Sequence, residues 1–370
     1  VREVDVVVVG AGLAGLQTGR LLAQRGLGVL VVERRRSLSA GLRTTGIFVR
    51  RTLDDFDVPE HLLGPGVRDV LLYPPSRRAP IRLTSDRDEY RVADMAGVYR
   101  HARCAAERAG AEVRLGVRYA GVGNGVVRLE GTDPVAARFI VGADGARSRV
   151  ARDLGLDQNR RFLVGAEIVH PIASGASEPA FHCVLDPRVA PGYLGWVVDD
   201  GHSAHVGVAG YPHAMRTGVR HLLDRFVADA PGQAAATGPI ERRGGPIPVG
   251  GVLRRLASPT SSPAGLLVGD AAGAVSPLTA GGLDPCLRMS EFAAAIIVEY
   301  LCDGDQHALR RYDGRTLRAG FRGRLLLRRV LAGVRSVAAA EAAVAALRSP
   351  TGRRAAARIL FGDGSFPDVR

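Results

Sequence analysis

The stretch from Asp5 to Glu33 limits the possible folds more tightly than any other part of the chain. An apolar run, Val6-Val7-Val8-Val9, leads directly into Gly10-Ala11-Gly12-Leu13-Ala14-Gly15. An amphipathic segment to Arg25 follows, Gly26 stops it, and a second apolar run, Val29-Leu30-Val31-Val32, ends in Glu33. Short apolar runs bounded by turn residues read as buried strands, and the period between them reads as a helix. The result is a β-α-β unit with parallel strands, which need helices over both faces and make the chain α/β. Gly10 allows the tight turn, Gly12 lets a pyrophosphate reach bare backbone, and Gly15 lets helix and strand pack closely. Glu33 is placed to bind both ribose hydroxyls of an adenosine, with Ala11, Ala14 and Arg34 as further contacts of the same turn.

Two later motifs extend this unit. Arg138-Phe139-Ile140-Val141 is a strand running into Gly142-Ala143-Asp144-Gly145-Ala146-Arg147-Ser148. Gly265 to Ser290 reads GLLVGDAAGAVSPLTAGGLDPCLRMS. There a buried strand, Leu266-Leu267-Val268, ends at Gly269-Asp270, whose carboxylate suits a sugar or ribityl hydroxyl. Gly281-Gly282 opens the following helix, and Gly269, Pro277, Gly281, Gly282 and Leu283 are expected cofactor contacts. A helix N-terminus carries unpaired N–H groups and partial positive charge, which suits the negative charge of a reduced flavin near N1 and O2.

Taken in this order, the three motifs resemble the flavoprotein superfamily typified by p-hydroxybenzoate hydroxylase, and within it the geranylgeranyl reductase family. The resemblance spans nearly all of residues 1 to 300. It implies FAD with its adenosine on the first motif, Asp144 and its neighbours touching pyrophosphate, and Asp270 on the ribityl chain. In relatives the middle motif also passes NAD(P)H, which makes a nicotinamide the expected electron donor.

Gly244-Gly245-Pro246-Ile247-Pro248 and Pro191-Gly192-Tyr193-Leu194-Gly195-Trp196-Val197-Val198 tilt the match towards the reductase branch. Family members tend to carry an aromatic-x-Trp-x-Phe-Pro run along the substrate cavity. Here Tyr193 lies three residues from Trp196, and Val198 and Asp199 stand at the Phe-Pro positions. Leu42-Arg43-Thr44-Thr45-Gly46 occupies the place of an Arg-Cys-Gly-Gly run, so Thr44 replaces a flavin-proximal Cys. Arg43 is then a phosphate or flavin contact, and Thr44, Thr45, Tyr193 and Trp196 belong to the substrate cavity.

All 50 basic residues are Arg, against 37 acidic ones, for a formal net charge of +13. With no lysine there is no Schiff base, and no lysine to carry the halogenating species that halogenases of this superfamily are thought to need. Cys104, Cys183, Cys286 and Cys302 have no zinc spacing, and the nine histidines do not cluster, so no metal is expected. No run approaches the ~18 apolar residues of a membrane span, and there is no charged-then-apolar leader, so a cytoplasmic enzyme is expected. Without a basic patch interleaved with aromatics, nucleic acid is not an expected partner. The oligomeric state is not legible.

The organisation expected is a Rossmann-like FAD-binding domain with an inserted, mainly antiparallel β-sheet domain and a C-terminal helical cap. The cofactor domain takes residues 1–55, 92–154 and 252–304, the substrate sheet 56–91 and 155–251, and the cap 305–370. Five prolines between Phe56 and Tyr90 suggest loop and edge strand, a helix should run from Asp94 to Ala109, and Asn124-Gly125 marks a hairpin. Strands are expected at Phe162–Val169, Tyr193–Val198 and His205–Ala209, with helices near Met215–Ala228 and Val337–Leu347. Arg311, Arg315, Arg318 and Arg322 fall on one helical face, either a solvated surface or a contact with an anionic membrane.

The chemistry expected is hydride transfer from NAD(P)H or another donor to FAD, then from the reduced flavin to a carbon–carbon double bond of a small apolar substrate, prenyl-like or a secondary metabolite. A proton must reach the adjacent carbon, and Tyr193, a water or a solvent path could supply it. Two alternatives remain: a monooxygenase that traps oxygen at flavin C4a, and an FAD-binding protein without turnover.

Overall fold

The computed structural model describes residues 2–172, 179–232, 238–305 and 307–362. Two large sheets organise it. The first is built on β1 (Arg2–Val9), α1 (Leu13–Ala23) and β2 (Val29–Glu33). Next come a short strand β3 (Ile47–Val49) and a helix α2 (Arg50–Asp55), followed by β4 (Asp69–Tyr73), β5 (Ile81–Thr84) and β6 (Tyr90–Val92). The chain then returns through α3 (Met95–Arg108) to β7 (Glu112–Leu115), the hairpin β8 (Tyr119–Gly123) and β9 (Val126–Leu129), β10 (Val135–Gly142) and α4 (Arg149–Asp153). The second sheet takes β11 (Phe162–Pro171), β12 (Ala180–Val184), β13 (Gly195–Asp199) and β14 (Ser203–Gly210). Helix α5 (Val219–Val227) and β15 (Glu241–Pro248) complete it. The first sheet closes with β16 (Ala257–Ser258), β17 (Ala264–Leu267) and α6 (Leu283–Leu301), and five helices follow: α7 (Ala308–Arg311), α8 (Gly314–Ala319), α9 (Arg322–Gly333), α10 (Val337–Leu347) and α11 (Pro350–Leu360).

The first sheet has the order β16-β17-β10-β1-β2-β7, with β8 and β9 attached at β10. Strands β17, β10, β1, β2 and β7 are parallel. Register pairs Val6 with Val29 and Phe139, so the two apolar runs and the middle motif lie side by side. Val6, Val7 and Val8 are fully buried, as strands covered on both faces must be. Helix α1 packs against α3 and α6 over one face. The carboxyl ends of β1, β10 and β17 therefore come together at one edge, where the three motifs begin.

The second sheet has the order β15-β11-β14-β13-β12-β4-β5 and is antiparallel except where β12 runs parallel to β4. Its side chains alternate between two faces. Ala166, Ile168, Val197, Val206 and Val208 pack with Leu222, Leu223 and Phe226 of α5. Gly165, Glu167, Trp196, Gly245 and Ile247 line a cavity on the other side. The C-terminal helices link both sheets: Leu317 and Phe321 join the core of the first, while Val344 and Ala356 pack on Ile81 and Leu83 of β5.

The α/β architecture agrees with the sequence reading, and the structure adjusts several elements. Within the 56–90 stretch β5 is an edge strand of the second sheet, whereas β4 is an interior one, sandwiched between β12 and β5. Gly244-Gly245-Pro246 lies inside β15, at the sheet edge where proline is tolerated. Gly218, at φ +81°, delays the expected helix at Met215 until Val219. The four-arginine face is not one helix: Asp313 caps α8 and a further break precedes α9. Arg311 pairs with Glu299, and Arg318 donates to the carbonyls of Gly250 (2.6 Å) and Val252 (2.9 Å). Among the described residues, no helix is long and apolar enough to cross a membrane.

Candidate functional site

A cavity of about 1280 Å³ lies between the two sheets and under α9 to α11. Single-ligand pockets run to roughly 1,000 Å³, so this space can take a cofactor and a substrate together. Most of the residues singled out from sequence line it: Gly10, Gly12, Ala14, Glu33, Arg34, Arg43, Thr44, Thr45, Asp144, Tyr193, Trp196, Gly269, Asp270, Gly281, Gly282 and Leu283. Ala11, Gly15 and Pro277 do not. Ala11 is fully buried and Pro277 is buried within the 276–281 loop, while Gly15 acts by packing, the role its position implied.

The first turn is shaped by contacts that glycine alone permits. Gly10 has φ +107°, and a Cβ there would meet the Ala143 carbonyl oxygen at 2.3 Å. A Cβ on Gly15 would lie 1.9 Å from the Gly10 carbonyl oxygen. Gly12 differs, because a Cβ there meets no atom of the chain within 4 Å. Its missing side chain leaves room on the cavity side. Gly12 is also the N-cap of α1 and offers no side-chain cap, so the first N–H groups of that helix remain available. Glu33 accepts from the Ala11 N–H (3.1 Å) and from the Arg35 backbone N–H (3.0 Å). That fixes the carboxylate while leaving lone pairs for a further donor.

The middle motif works differently from the simplest expectation. The Asp144 carboxylate accepts from the Ser148 hydroxyl and from the N–H groups of Arg149 (2.7 Å) and Val150 (3.2 Å). It serves as a cap for α4. Burial pushes its pKa up, and those three bonds act against the rise. What the motif can show a ligand is therefore the backbone from Ala143 to Arg147 and the exposed Arg147 at its end.

The third motif folds into a tight loop. Ser276 N–H donates to Gly281 O (2.9 Å), and Asn159 Nδ2 donates to the Asp270 carbonyl (2.8 Å). The Asp270 carboxylate lies beside Gly282, takes no hydrogen bond from the described residues, and is pushed up to about 6 by burial. An unsatisfied carboxylate in a cavity wall fits a ligand hydroxyl. The nineteen-residue α6 follows its N-cap Gly282, which offers no side-chain cap. These features together fit FAD: an open glycine and free helix N–H groups for the pyrophosphate, Glu33 for the ribose, and Asp270 for the ribityl chain.

Tyr193, the candidate proton donor, is 5% exposed, and its hydroxyl donates to Thr279 O (2.7 Å). Burial raises its pKa, and the Arg328 guanidinium, 5.2 Å from the ring centroid, acts against the rise. In this arrangement the hydroxyl ties the second sheet to the 276–281 loop.

Sequence reasoning missed a polar cluster on the second sheet. Glu167 of β11 is 4% exposed and lines the cavity. Its Oε2 accepts from the Thr45 hydroxyl and from Trp196 Nε1–H (3.1 Å). Oε1 lies 3.3 Å from His205 Nδ1 and 3.6 Å from Arg243 Nη1. His205 Nε2 lies 2.9 Å from Asp200 Oδ2. Register explains the meeting, since Glu167 pairs with Gly207 on one side and Arg243 on the other. Gly207 leaves space for the Trp196 ring, because a Cβ there would meet Cζ2 at 2.2 Å. The available signal was a single acid inside the otherwise apolar strand Phe162–Val169.

Burial disfavours the His205 imidazolium, yet the bonds to Asp200 and Glu167 outweigh it and push the group up to about 9. Burial would likewise raise Glu167, but His205, Thr45 and Arg243 hold it below the usual carboxylate range. The resting pair is thus imidazolium and carboxylate.

Comparison with known proteins identifies an FAD-binding chain. The family described as "FAD binding domain" matches residues 3–320. Digeranylgeranylglycerophospholipid reductase 1 of Methanopyrus kandleri is 32% identical over 337 residues, covering 85% of this chain and 86% of that protein. A geranylgeranyl bacteriochlorophyll reductase-like protein from Thermoplasma acidophilum has the same fold at a TM-score of 0.82, with 22% identity and 98% of each chain covered. p-Nitrophenol 4-monooxygenase from Pseudomonas putida superimposes at 0.65, with 20% identity, over 99% of this chain and 95% of that one. The chain is an FAD-binding oxidoreductase of the p-hydroxybenzoate hydroxylase superfamily and belongs to its geranylgeranyl reductase family.

Proposed function

We propose that this protein reduces a carbon–carbon double bond in a prenyl-like substrate. The observation that carries this reading is the wall beyond the cofactor motifs. There the cavity is lined by Leu327, Leu331, Val334, Val344, Leu347 and Leu360 of the C-terminal region, with Trp196 and Ile247 of the second sheet in the same lining. Such a lining holds a hydrocarbon chain and keeps water from the reacting carbon. Bound FAD supplies hydride chemistry. The chain's own part is to seat the pyrophosphate on the Gly10–Gly15 turn, steady the ring system against the α6 N-terminus, and orient the alkene from the second sheet. Arg43 and Arg34, both exposed at the cavity, are positioned for phosphate contacts.

A nicotinamide is the donor that fits the family, and mixing NADH or NADPH with the FAD-loaded protein should bleach the flavin. The decisive assay adds digeranylgeranylglycerophospholipid to the dithionite-reduced protein without oxygen. Flavin reoxidation with stoichiometric saturation of a double bond supports the reductase. A hydroxylated product that forms only with oxygen would replace it with the monooxygenase reading. FAD binding with no conversion of any prenyl or aromatic compound would leave a binding protein.

Helix α9 also bears on where such a lipid is met. Leu326 and Val330 are 60% and 62% exposed, Arg322 and Arg329 flank them, and Leu327 and Val330 reach the cavity. Apolar tips set among arginines suit the surface of an anionic bilayer. Co-flotation with phosphatidylserine vesicles, lost on Leu326→Glu/Val330→Glu, is the expected result. Equal flotation of wild type and variant would remove this contact.

A further inference from the structure

Reduction of a double bond needs a proton as well as a hydride, and the cofactor motifs offer no evident source for it. Five carboxylates line the cavity: Glu33, Glu89, Asp144, Glu167 and Asp270. Glu33 anchors the first turn, Glu89 faces Arg50 at 3.5 Å, and Asp144 caps α4. Asp270 is assigned above to the ribityl chain. Glu167 alone among them has a titratable chain behind it leading outward, through His205 at 2% exposure to Asp200 at 22%.

We propose that Glu167 hands the proton to the reduced double bond, and that His205 and Asp200 form the line that reloads it from solvent. This rests on the reductase reading. The double bond takes a hydride, with its two electrons, from the reduced cofactor at one carbon, and the cofactor is thereby oxidised. The resting Glu167 carboxylate receives the Nδ1 proton of the His205 imidazolium and passes it to the adjacent carbon, which forms its new C–H bond, so Glu167 ends as the carboxylate it began as. The neutral imidazole left on His205 regains its proton from water through Asp200. The alkene has then gained two hydrogens and the protein is unchanged.

Geometry supports each step. Oε1 of Glu167 faces His205, while Thr45 and Trp196 fix Oε2 in the cavity wall. The charged groups facing this line are Arg243, itself paired with Glu241 at 2.7 Å, and Asp199 and His202 beside Asp200. With its pKa near 9, His205 holds the stored proton throughout neutral pH. The line discharges as pH rises through that value.

The first readout is independent of turnover. In the cofactor-free protein, the His205 imidazole signals, assigned with His205→Gln, should titrate near pH 9, and Glu167→Gln should lower that midpoint. A His205 that is neutral at pH 7 overturns the proposal. The second readout is anaerobic single turnover with digeranylgeranylglycerophospholipid. Glu167→Gln should slow saturation about 10²–10⁴-fold, with FAD affinity and reduction by dithionite unaltered. His205→Gln should abolish the alkaline fall in rate. Should Glu167→Gln fail to fold, Asp200→Asn reads the same line from its partly exposed end and should move the alkaline midpoint down. Wild-type turnover with rates and pH profiles unchanged in these variants overturns the relay and leaves the reductase reading standing. A wild-type protein that never saturates the lipid overturns both, whatever the variants do.

Discussion

Replacing Gly12 and Gly15 by alanine, one at a time, separates a glycine kept for packing from one kept for a ligand. At Gly15 the new methyl would stand 1.9 Å from the Gly10 carbonyl oxygen and 3.1 Å from the Ala143 Cβ. Both neighbours belong to the turn and sheet edge and cannot swing away, so α1 must lift off β1. Overpacking of this kind costs roughly 1–3 kcal/mol. With about 2.1 cal/mol/K of unfolding entropy per residue, a chain of 370 residues loses about 1–4 °C in Tm, cofactor or none. At Gly12 the backbone is φ −72°, ψ 176°, which alanine adopts freely, and no protein atom lies within 4 Å of the added Cβ. Without cofactor, Gly12→Ala should be as stable as wild type or gain about 0.4–1 kcal/mol from a less entropic unfolded chain. With cofactor, the methyl takes space reserved for the pyrophosphate. An overlap costing about 2 kcal/mol weakens FAD binding about 30-fold. Thermal melts of the stripped proteins and FAD titration by fluorescence give both numbers. A Gly12→Ala protein with wild-type FAD affinity would refute the placement of the pyrophosphate on this turn, and one with a clearly lower Tm in the stripped state would refute the claim of open space.

Three further outcomes are expected. The Asp270 carboxyl, pushed up to about 6 by burial, binds its proton more tightly folded than unfolded, so the cofactor-free protein should lose stability as pH rises from about 4 to about 6. Asp270→Asn should flatten that part of the curve in chemical denaturation, and an unchanged slope would assign it to other groups. Tyr193→Phe removes the bond to Thr279 O at about 0.5–1.5 kcal/mol but should keep prenyl saturation within a few-fold, whereas a hundredfold loss in single turnover would restore Tyr193 as the proton donor. Trp196, the chain's single tryptophan, lines the cavity, so its emission should be quenched on titration with FAD. Unquenched emission at saturation would place the ring system away from β13.

Legibility in the sequence followed the range of the interactions. The β1-α1-β2 unit is local: two continuous apolar runs, one helical period and the three glycines of the first turn within 29 residues leave little choice, and the register of Val6 on Val29 follows. Helices α3 and α10 ended within a residue of expectation for the same reason. Strand β15 was hidden, because Gly-Gly-Pro carries the composition of a turn and becomes a strand only by pairing with β11. The arginine face failed through a cap. Spacings of four, three and four continue across Asp313, and only the bond that its carboxylate accepts from the Arg315 N–H, which restarts the chain as α8, shows that α7 has ended.

The site divides along the same line. Glycines that meet a phosphate announce themselves, since the chemistry needs bare backbone in one short turn. A proton line needs only a few side chains at hydrogen-bond distance, and the fold can draw them from anywhere. Glu167, His205 and Arg243 come from three strands that are adjacent in the sheet, and Thr45 comes from a loop 122 residues away. Each looks ordinary in its own segment. What makes the cluster costly to keep is burial, because an unpaired carboxylate at 4% exposure would be expelled or neutralised. Arg243 alone could have balanced that charge. The additional His205, tied on its far side to a partly exposed Asp200, adds little that a buried ion pair requires, yet it supplies what a proton path requires: a group able to hold a proton at neutral pH and an outlet to water.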